Sequence, residues 1–327
     1  MKITANNNIK IAVIIFIMEE YSIRRQFLKE RIDFHLSSFG FGVYCDYAIC
    51  NRIDGGEGHA QINRDCLYNL NHGDKLFINA AYLPNINDVF IAIIQMVKTK
   101  NIKLNFYIMC EPKLPYEYVA AILPHALQIY LMNNEYGHPQ IHHMPIGIRD
   151  GEEVRPGHKH FTQKTLLEER KQTRDKKYLC LLCFSSGAGR ADCEQALGER
   201  PFVLNLNKES FPPQPSIHCG KVPVWINYEK THESWYVLSP PGAGIDCHRF
   251  YEAIYLDAIP IVKRTNTAFD KLYHAFPCLI VDQWTEVTED LLENMKVPMT
   301  QKLKDFKEKY PNFMTDLDNI SELLLQT

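Results

Sequence analysis

Residues 239–252 read Ser-Pro-Pro-Gly-Ala-Gly-Ile-Asp-Cys-His-Arg-Phe-Tyr-Glu. Arg249 and Glu252 lie at i and i+3, so in a helix both project from one face. A guanidinium there can hold phosphate through charge-assisted hydrogen bonds, each worth about 1.5–3 kcal/mol. A carboxylate repels phosphate but accepts hydrogen bonds from the vicinal hydroxyls of a ribose. Gly242 and Gly244 let the backbone approach a ligand closely. A helix opening near Cys247 adds unpaired N–H donors and the positive end of its dipole. Ser239 and His248 belong to the same loop and helix start. By itself, the Arg249–Glu252 pair is equally well an i,i+3 surface ion pair, which is common and worth little. Two glycines alone mark only a turn.

A second junction of this type is Ser185-Ser186-Gly187-Ala188-Gly189-Arg190. Ser185, Ser186 and Arg190 could close over a diphosphate from the opposite side; an ordinary turn with an exposed arginine has the same composition. Cys180 and Cys183 form a CxxC within an apolar run and have no second CxxC to complete a zinc site, so a structural role is expected.

Composition narrows the classes. With 327 residues, 46% hydrophobic and 23% charged, the chain has the make-up of a folded protein with room for two domains. A formal charge of -3 and no long basic run argue against nucleic acid or anionic lipid as partners. The ten cysteines are scattered, mostly in apolar runs, and lack the density of a disulfide scaffold. The apolar run at 9–18 would span only about 15 Å as a helix, half a bilayer core. It is Ile/Val-rich, lacks a cleavage site and is followed by Glu19 and Glu20, so it reads as a strand rather than a leader. A soluble, cytoplasmic protein is expected.

Apolar runs alternate with helical periodicity along the chain. Strands are expected at 9–18, 42–49, 75–80 and 105–110, with helices over 22–38 and 88–98 between them. Residues 51–63 form a polar, glycine-bearing loop, and 118–132 is apolar. After a charged stretch the pattern restarts, with strands at 178–184, 202–206, 235–238, 259–262 and 278–281. Helices are expected at 190–197 and 247–256, then at 288–295, 300–309 and 315–325. This alternation predicts parallel, doubly wound sheets. The domains are read as 1–150, a linker at 151–175, a second domain at 176–300 and a helical tail at 301–327. Two such domains facing one another enclose a cleft, and ligands sit beyond the carboxyl ends of the strands.

The line YVLSPPGAGIDCHRFYEAIYLDAIPIVKRT, continued by FPCLIVDQWTEVTEDLL, resembles the C-terminal half of the exostosin-like glycosyltransferases, family 47. Arg249, Glu252, Pro260 and Trp284 carry the likeness. A weaker similarity covers HALQIYLMNNEYGHPQIHHMPIGIRDG; residues 1–115 show none. The resemblance implies a GT-B architecture, two Rossmann-like domains about a central cleft, with the donor bound mainly by the second. It further implies inverting transfer of a sugar of the xylose, galactose or glucuronic acid type from a UDP-sugar. Arg249 would hold the diphosphate and Glu252 the ribose, with Ser239, Gly242, Gly244, His248, Ser185, Ser186 and Arg190 also at the donor. Two features depart from the family. No Golgi-type anchor is found, which suits a soluble viral or microbial member. Asp257 stands where many relatives carry glycine.

An inverting transferase needs a base to take the acceptor's proton. The candidates are Glu19 or Glu20 after the first strand, Asp54 and Glu57 in the glycine-bearing loop, and Glu111 after Cys110, and Glu111 and Asp54 rank first. Each is equally well a helix-start or loop carboxylate. Asp316-Leu317-Asp318 is the chain's Asp-x-Asp, but it lies in the helical tail. His142, His143, His158 and His160 lack a carboxylate or cysteine at ligand spacing. No metal or other cofactor is expected, and Arg249, helix N–H groups and Arg190 would stabilise the leaving group. The alternatives are a GDP-sugar enzyme of the fucosyltransferase type on the same fold, and a non-catalytic sugar-nucleotide or glycan-binding protein.

Overall fold

The computed structural model describes residues 41, 44–49, 64–80, 86–149, 162–185, 187, 189–211, 217–219, 222–314 and 323–325. The first sheet contains β1 (Tyr47–Ile49), β2 (Lys75–Asn79), β3 (Leu104–Met109), β4 (Ala126–Leu131) and β5 (Ile141–His143). They lie in that order, and every neighbouring pair is parallel. Side chains alternate across the pleat, as the two-residue period of a strand requires. Leu76, Ile78, Phe106 and Ile108 share one core with Val89, Phe90, Ile93 and Val97 of the helix Ile86–Lys100. Phe77, Tyr107, Met109 and Tyr130 belong to a different core, which extends into the second sheet.

The second sheet begins with β6 (Tyr178–Leu182) and β7 (Val203–Asn205). A small antiparallel pair follows, β8 (Ile217–Cys219) with β9 (Val222–Pro223), then β10 (Ser234–Leu238), β11 (Ile259–Lys263) and β12 (Leu279–Val281). The order β7-β6-β10-β11-β12 is parallel throughout. The chain steps outward from β6 to β7 and then returns to the other side of β6. Winding therefore reverses between β6 and β10, and open α/β sheets bind ligands beyond the carboxyl ends at such a reversal. β6 and β10 are covered on both faces, which is why they read as nearly unbroken apolar runs. Over the described residues the molecule is thus a mixed α/β protein with two parallel five-stranded sheets, consistent with two Rossmann-like domains.

Several boundaries differ from those expected. Within the expected strand 42–49, residues 44–46 are not strand and β1 starts at Tyr47; Cys45 N donates to Phe41 O at 3.1 Å. Tyr44 packs edge-on against Tyr107 and receives Lys75 Nζ over its ring, so this aromatic side chain lies on the sheet instead of extending it. The run 118–132 divides into a helix (Tyr116–Ile122), a 3-10 turn holding Pro124 (Leu123–His125) and β4. Part of the expected linker is a helix, Thr162–Arg170, docked on the second domain. Its Glu169 accepts from Arg174 Nε at 2.9 Å and from His232 Nδ1 at 3.1 Å.

The two expected helices at 288–295 and 300–309 are one, Glu289–Lys309, which runs through Pro298. An interior proline costs about 3 kcal/mol. Burial of Leu292, Met299, Leu303 and Phe306 along one face offsets it. The expected strand at 9–18, helix at 22–38, loop at 51–63 and most of the tail at 315–325 lie outside the described residues. Among the described residues no helix is long and apolar enough to cross a membrane.

Candidate functional site

Loops leaving the carboxyl ends of β3, β5, β6 and β10 enclose a cavity of about 150 Å³. Glu111, Ile146 and Arg149 line it from the first sheet. Ser185, Arg190, Gly242, Ala243, Asp246, Cys247, His248 and Arg249 line it from the second. The cavity therefore sits at the winding reversal between β6 and β10 and faces the other sheet's strand ends.

Arg249 stands on the first turn of the helix His248–Tyr255 and is only 8% exposed. Its Nε donates to the Cys183 carbonyl at 2.9 Å, and its guanidinium lies 5.4 Å from the Phe184 ring centroid. A carbonyl at the end of β6 and an aromatic face thus fix the cation in place. Arg190 ties the two loops of the reversal together. Its Nε donates to Pro241 O at 3.1 Å, and its Nη1 to Ser185 O at 3.0 Å and Ser185 Oγ at 2.8 Å. Gly242 permits this arrangement, because a Cβ there would lie 2.9 Å from Arg190 Nη2. With Arg149, three arginines line the cavity beside the N-terminal end of a helix, a wall suited to a polyanion such as a diphosphate.

Two carboxylates share the cavity. Glu111 follows β3 and comes from the first domain. Asp246 comes from the second and is 4% exposed. Its Oδ2 accepts from Ile146 N at 2.7 Å and from Tyr251 Oη at 2.8 Å, and its Oδ1 from Cys247 N at 2.9 Å. Burial, together with the nearby Glu111, pushes its pKa up to about 7 against the lowering effect of those hydrogen bonds.

The Ile146 bond crosses between the domains, and others run beside it. His248 Nδ1 donates to Gly147 O at 2.8 Å, and His143 Nε2 donates to Ala268 O at 2.9 Å. Asn133 accepts from Asp246 N at 2.9 Å and donates to Cys110 O at 3.1 Å. It therefore links the residue before Glu111 to the loop before the Arg249 helix. His143 is thus a polar contact between the domains. It is fully buried, and burial lowers its pKa to about 4, so the ring is neutral. His142 stays within the first domain, 2.6 Å from Gln128 Oε1.

Glu111, Ser185, Arg190, Gly242, His248 and Arg249 come together as the sequence suggests. Three other singled-out residues do not line the cavity. Ser239 lies beneath the loop, its Oγ 3.1 Å from Cys247 Sγ. Gly244 is turned toward Asn133. Glu252 is 1% exposed and accepts from Tyr228 Oη at 3.0 Å, so it and Arg249 engage different partners despite their i,i+3 spacing. Asp54 and Ser186 lie outside the described residues. Sequence reasoning passed over Arg149, Asp246 and Asn133. Asp246 stood inside the motif itself, and Asn133 takes the left-handed φ of 54° that asparagine tolerates in turns.

Among the described residues no group of three or more His, Cys, Asp or Glu is placed to hold a metal ion. Cys180 and Cys183 are both buried and form no disulfide. Comparison with protein-family profiles gives no match, and comparison with curated protein sequences gives none.

Proposed function

We propose that this protein is a GT-B glycosyltransferase that moves a sugar from a UDP-sugar to a carbohydrate hydroxyl, with inversion and without a metal. One observation carries the reading: the carboxyl ends of both parallel sheets meet at a cavity lined by Arg190 and Arg249 on one side and by Arg149 and Glu111 on the other. The likeness of residues 236–292 to the exostosin-like enzymes supports the choice of sugar nucleotide. Arg249 and Arg190 hold the diphosphate, with the first N–H groups of the helix His248–Tyr255. The ribose role of Glu252 rests on the resemblance alone, since its carboxylate is 1% exposed, accepts from Tyr228 Oη and does not line the cavity.

In the reaction Glu111 takes the proton of the acceptor hydroxyl as its oxygen attacks the anomeric carbon. The bond from that carbon to the β-phosphate oxygen breaks, and UDP leaves with the electron pair. The arginines stabilise the charge that develops on the diphosphate. The cavity, about 150 Å³, is smaller than the ~300 Å³ at which ligand pockets generally begin. It accommodates the diphosphate portion, and a complete donor requires the Ile146–Asp246 and Gly147–His248 contacts to part.

The test is a panel of UDP-sugars assayed for slow hydrolysis, read as UDP release, with calorimetric titration of UDP and GDP alongside. Release of UDP from one donor, abolished in Arg249→Ala, supports the proposal. Binding of GDP in place of UDP would redirect it to a GDP-sugar enzyme. Tight UDP binding with no turnover on any donor would make the protein a binding module.

A further inference from the structure

We infer that Tyr116 and Tyr136 form a platform for a neutral pyranose ring at the rim of the cleft, an acceptor subsite separate from the donor cavity. The acceptor role rests on the proposed glycosyl transfer; the capacity to bind a saccharide does not.

Tyr116 opens the helix that follows the loop after β3, and Tyr136 lies on the loop after the neighbouring strand β4. The loop after β3 carries Glu111 and reaches Tyr116 at the start of the helix Tyr116–Ile122. Five residues of chain span at most about 18 Å, so the platform lies within reach of a short oligosaccharide whose end meets Glu111. The loop after β4 carries Asn133, which enters the interdomain contact, and then Tyr136.

The two loops are fastened to each other at three points. Asn133 Nδ2 donates to Cys110 O at 3.1 Å at the cleft. Further out, Tyr136 Oη donates to Leu114 O at 2.6 Å, and Lys113 Nζ lies 3.1 Å from Glu135 Oε1. The Tyr136 ring is thus half-buried and fixed. Tyr116 packs against it with ring centroids 5.3 Å apart and planes inclined by 56°. Tyr116 itself is 56% exposed, a large aromatic surface held in place yet facing water.

The chemistry selects a sugar. The faces of aromatic rings carry partial negative charge, which attracts the polarised C–H bonds on the flat side of a pyranose. The edges of the sugar carry hydroxyls, and here Tyr hydroxyls and the Lys113–Glu135 pair border the rings. That ion pair offers donors and acceptors, and Glu117 beside it leaves the surroundings of Tyr136 net negative, which favours a neutral sugar over an acidic one. An apolar peptide or lipid would need a larger continuous apolar surface than two rings framed by charge.

The experiment measures binding without any donor. Wild-type protein, Tyr116→Ala and Tyr116→Trp are titrated with neutral di- to tetrasaccharides of glucose, galactose and xylose, followed by saturation-transfer NMR, and with UDP by calorimetry. The expected result is that wild type binds at least one saccharide, Tyr116→Ala binds it roughly tenfold more weakly, and Tyr116→Trp stays within about threefold. UDP affinity is expected to be the same in all three. If wild type binds none of these saccharides, or Tyr116→Ala binds as well as wild type, the platform is overturned. Failure of UDP to bind while saccharide binding still depends on Tyr116 would sink the donor assignment and leave the platform standing.

Discussion

The side-chain amide of Asn133 occupies the space that a side chain at Gly244 would need: a Cβ there would lie 2.3 Å from Asn133 Nδ2. The glycine that reads as a phosphate-loop residue thus serves contact between the domains. Gly244→Ala is expected to cost about 1–3 kcal/mol, the usual range for overpacking, as measured by chemical denaturation. Asn133→Gly keeps the left-handed conformation at φ 54° and removes the amide, so Asn133→Gly/Gly244→Ala should lose less than the sum of the single changes. Strict additivity would show that the two residues do not compete for the same space.

Asp246 gives the interdomain contact a pH dependence of definite sign. Its pKa is pushed up to about 7 in the folded protein from an ordinary 3.8. Over this window the folded state binds the proton and the unfolded chain does not, so this group's contribution to stability falls as pH rises from about 4 to 7. At ~1.4 kcal/mol per unit, the full effect is limited to about 4 kcal/mol. Asp246→Asn cannot titrate, and its stability relative to wild type should rise between pH 4 and pH 7. Parallel stability curves for the two proteins across that range would refute the assignment.

The strand–helix alternation and six of the cavity residues were legible in the sequence, because apolar periodicity and loop chemistry are local signals; the place where the winding reverses depends on strand order and was not. What escaped depended on distant partners. β5 has three residues, two of them histidines, and counts as a strand only because β4 pairs with it. The helix Val224–His232 follows a polar stretch whose turn signals hid its start. Asn133 and Asp246 act on opposite domains, and no spacing rule relates residues 133 and 246. Asp257 shows the same limit. It stands where the resemblance expects glycine, and it adopts a left-handed φ of 58° while its carboxylate pairs with both Arg170 and Lys307.

That Asp257 contact joins the docked helix Thr162–Arg170 and the long helix Glu289–Lys309 to the end of the Arg249 helix. Lys307 and Arg170 hold its carboxyl below its ordinary pKa despite the opposing effect of burial. The stabilisation is therefore present above about pH 4 and is lost as pH falls through the lower folded value. Asp257→Asn, which tolerates the same backbone conformation, should melt below wild type at pH 7 and converge on it in acid. A melting-temperature deficit that persists undiminished at pH 2–3 would place its origin elsewhere than in the charge.

Glu111 and Arg249 can be separated by the quantity each controls. Under the proposed reaction Glu111→Gln removes the base and leaves the donor wall intact. Turnover should fall by roughly 10²–10⁴, with UDP affinity close to wild type. Arg249→Ala removes charge-assisted hydrogen bonds worth about 1.5–3 kcal/mol, so UDP binding should weaken by roughly 10- to 150-fold. Arg249→Lys should recover little, because an ammonium cannot both donate to the Cys183 carbonyl and lie flat beside Phe184 as the guanidinium does. Calorimetry with UDP and steady-state rates on the best donor distinguish these outcomes. Equal loss of UDP affinity in Glu111→Gln and Arg249→Ala would mean that Glu111 supports the donor wall and does not act as the base.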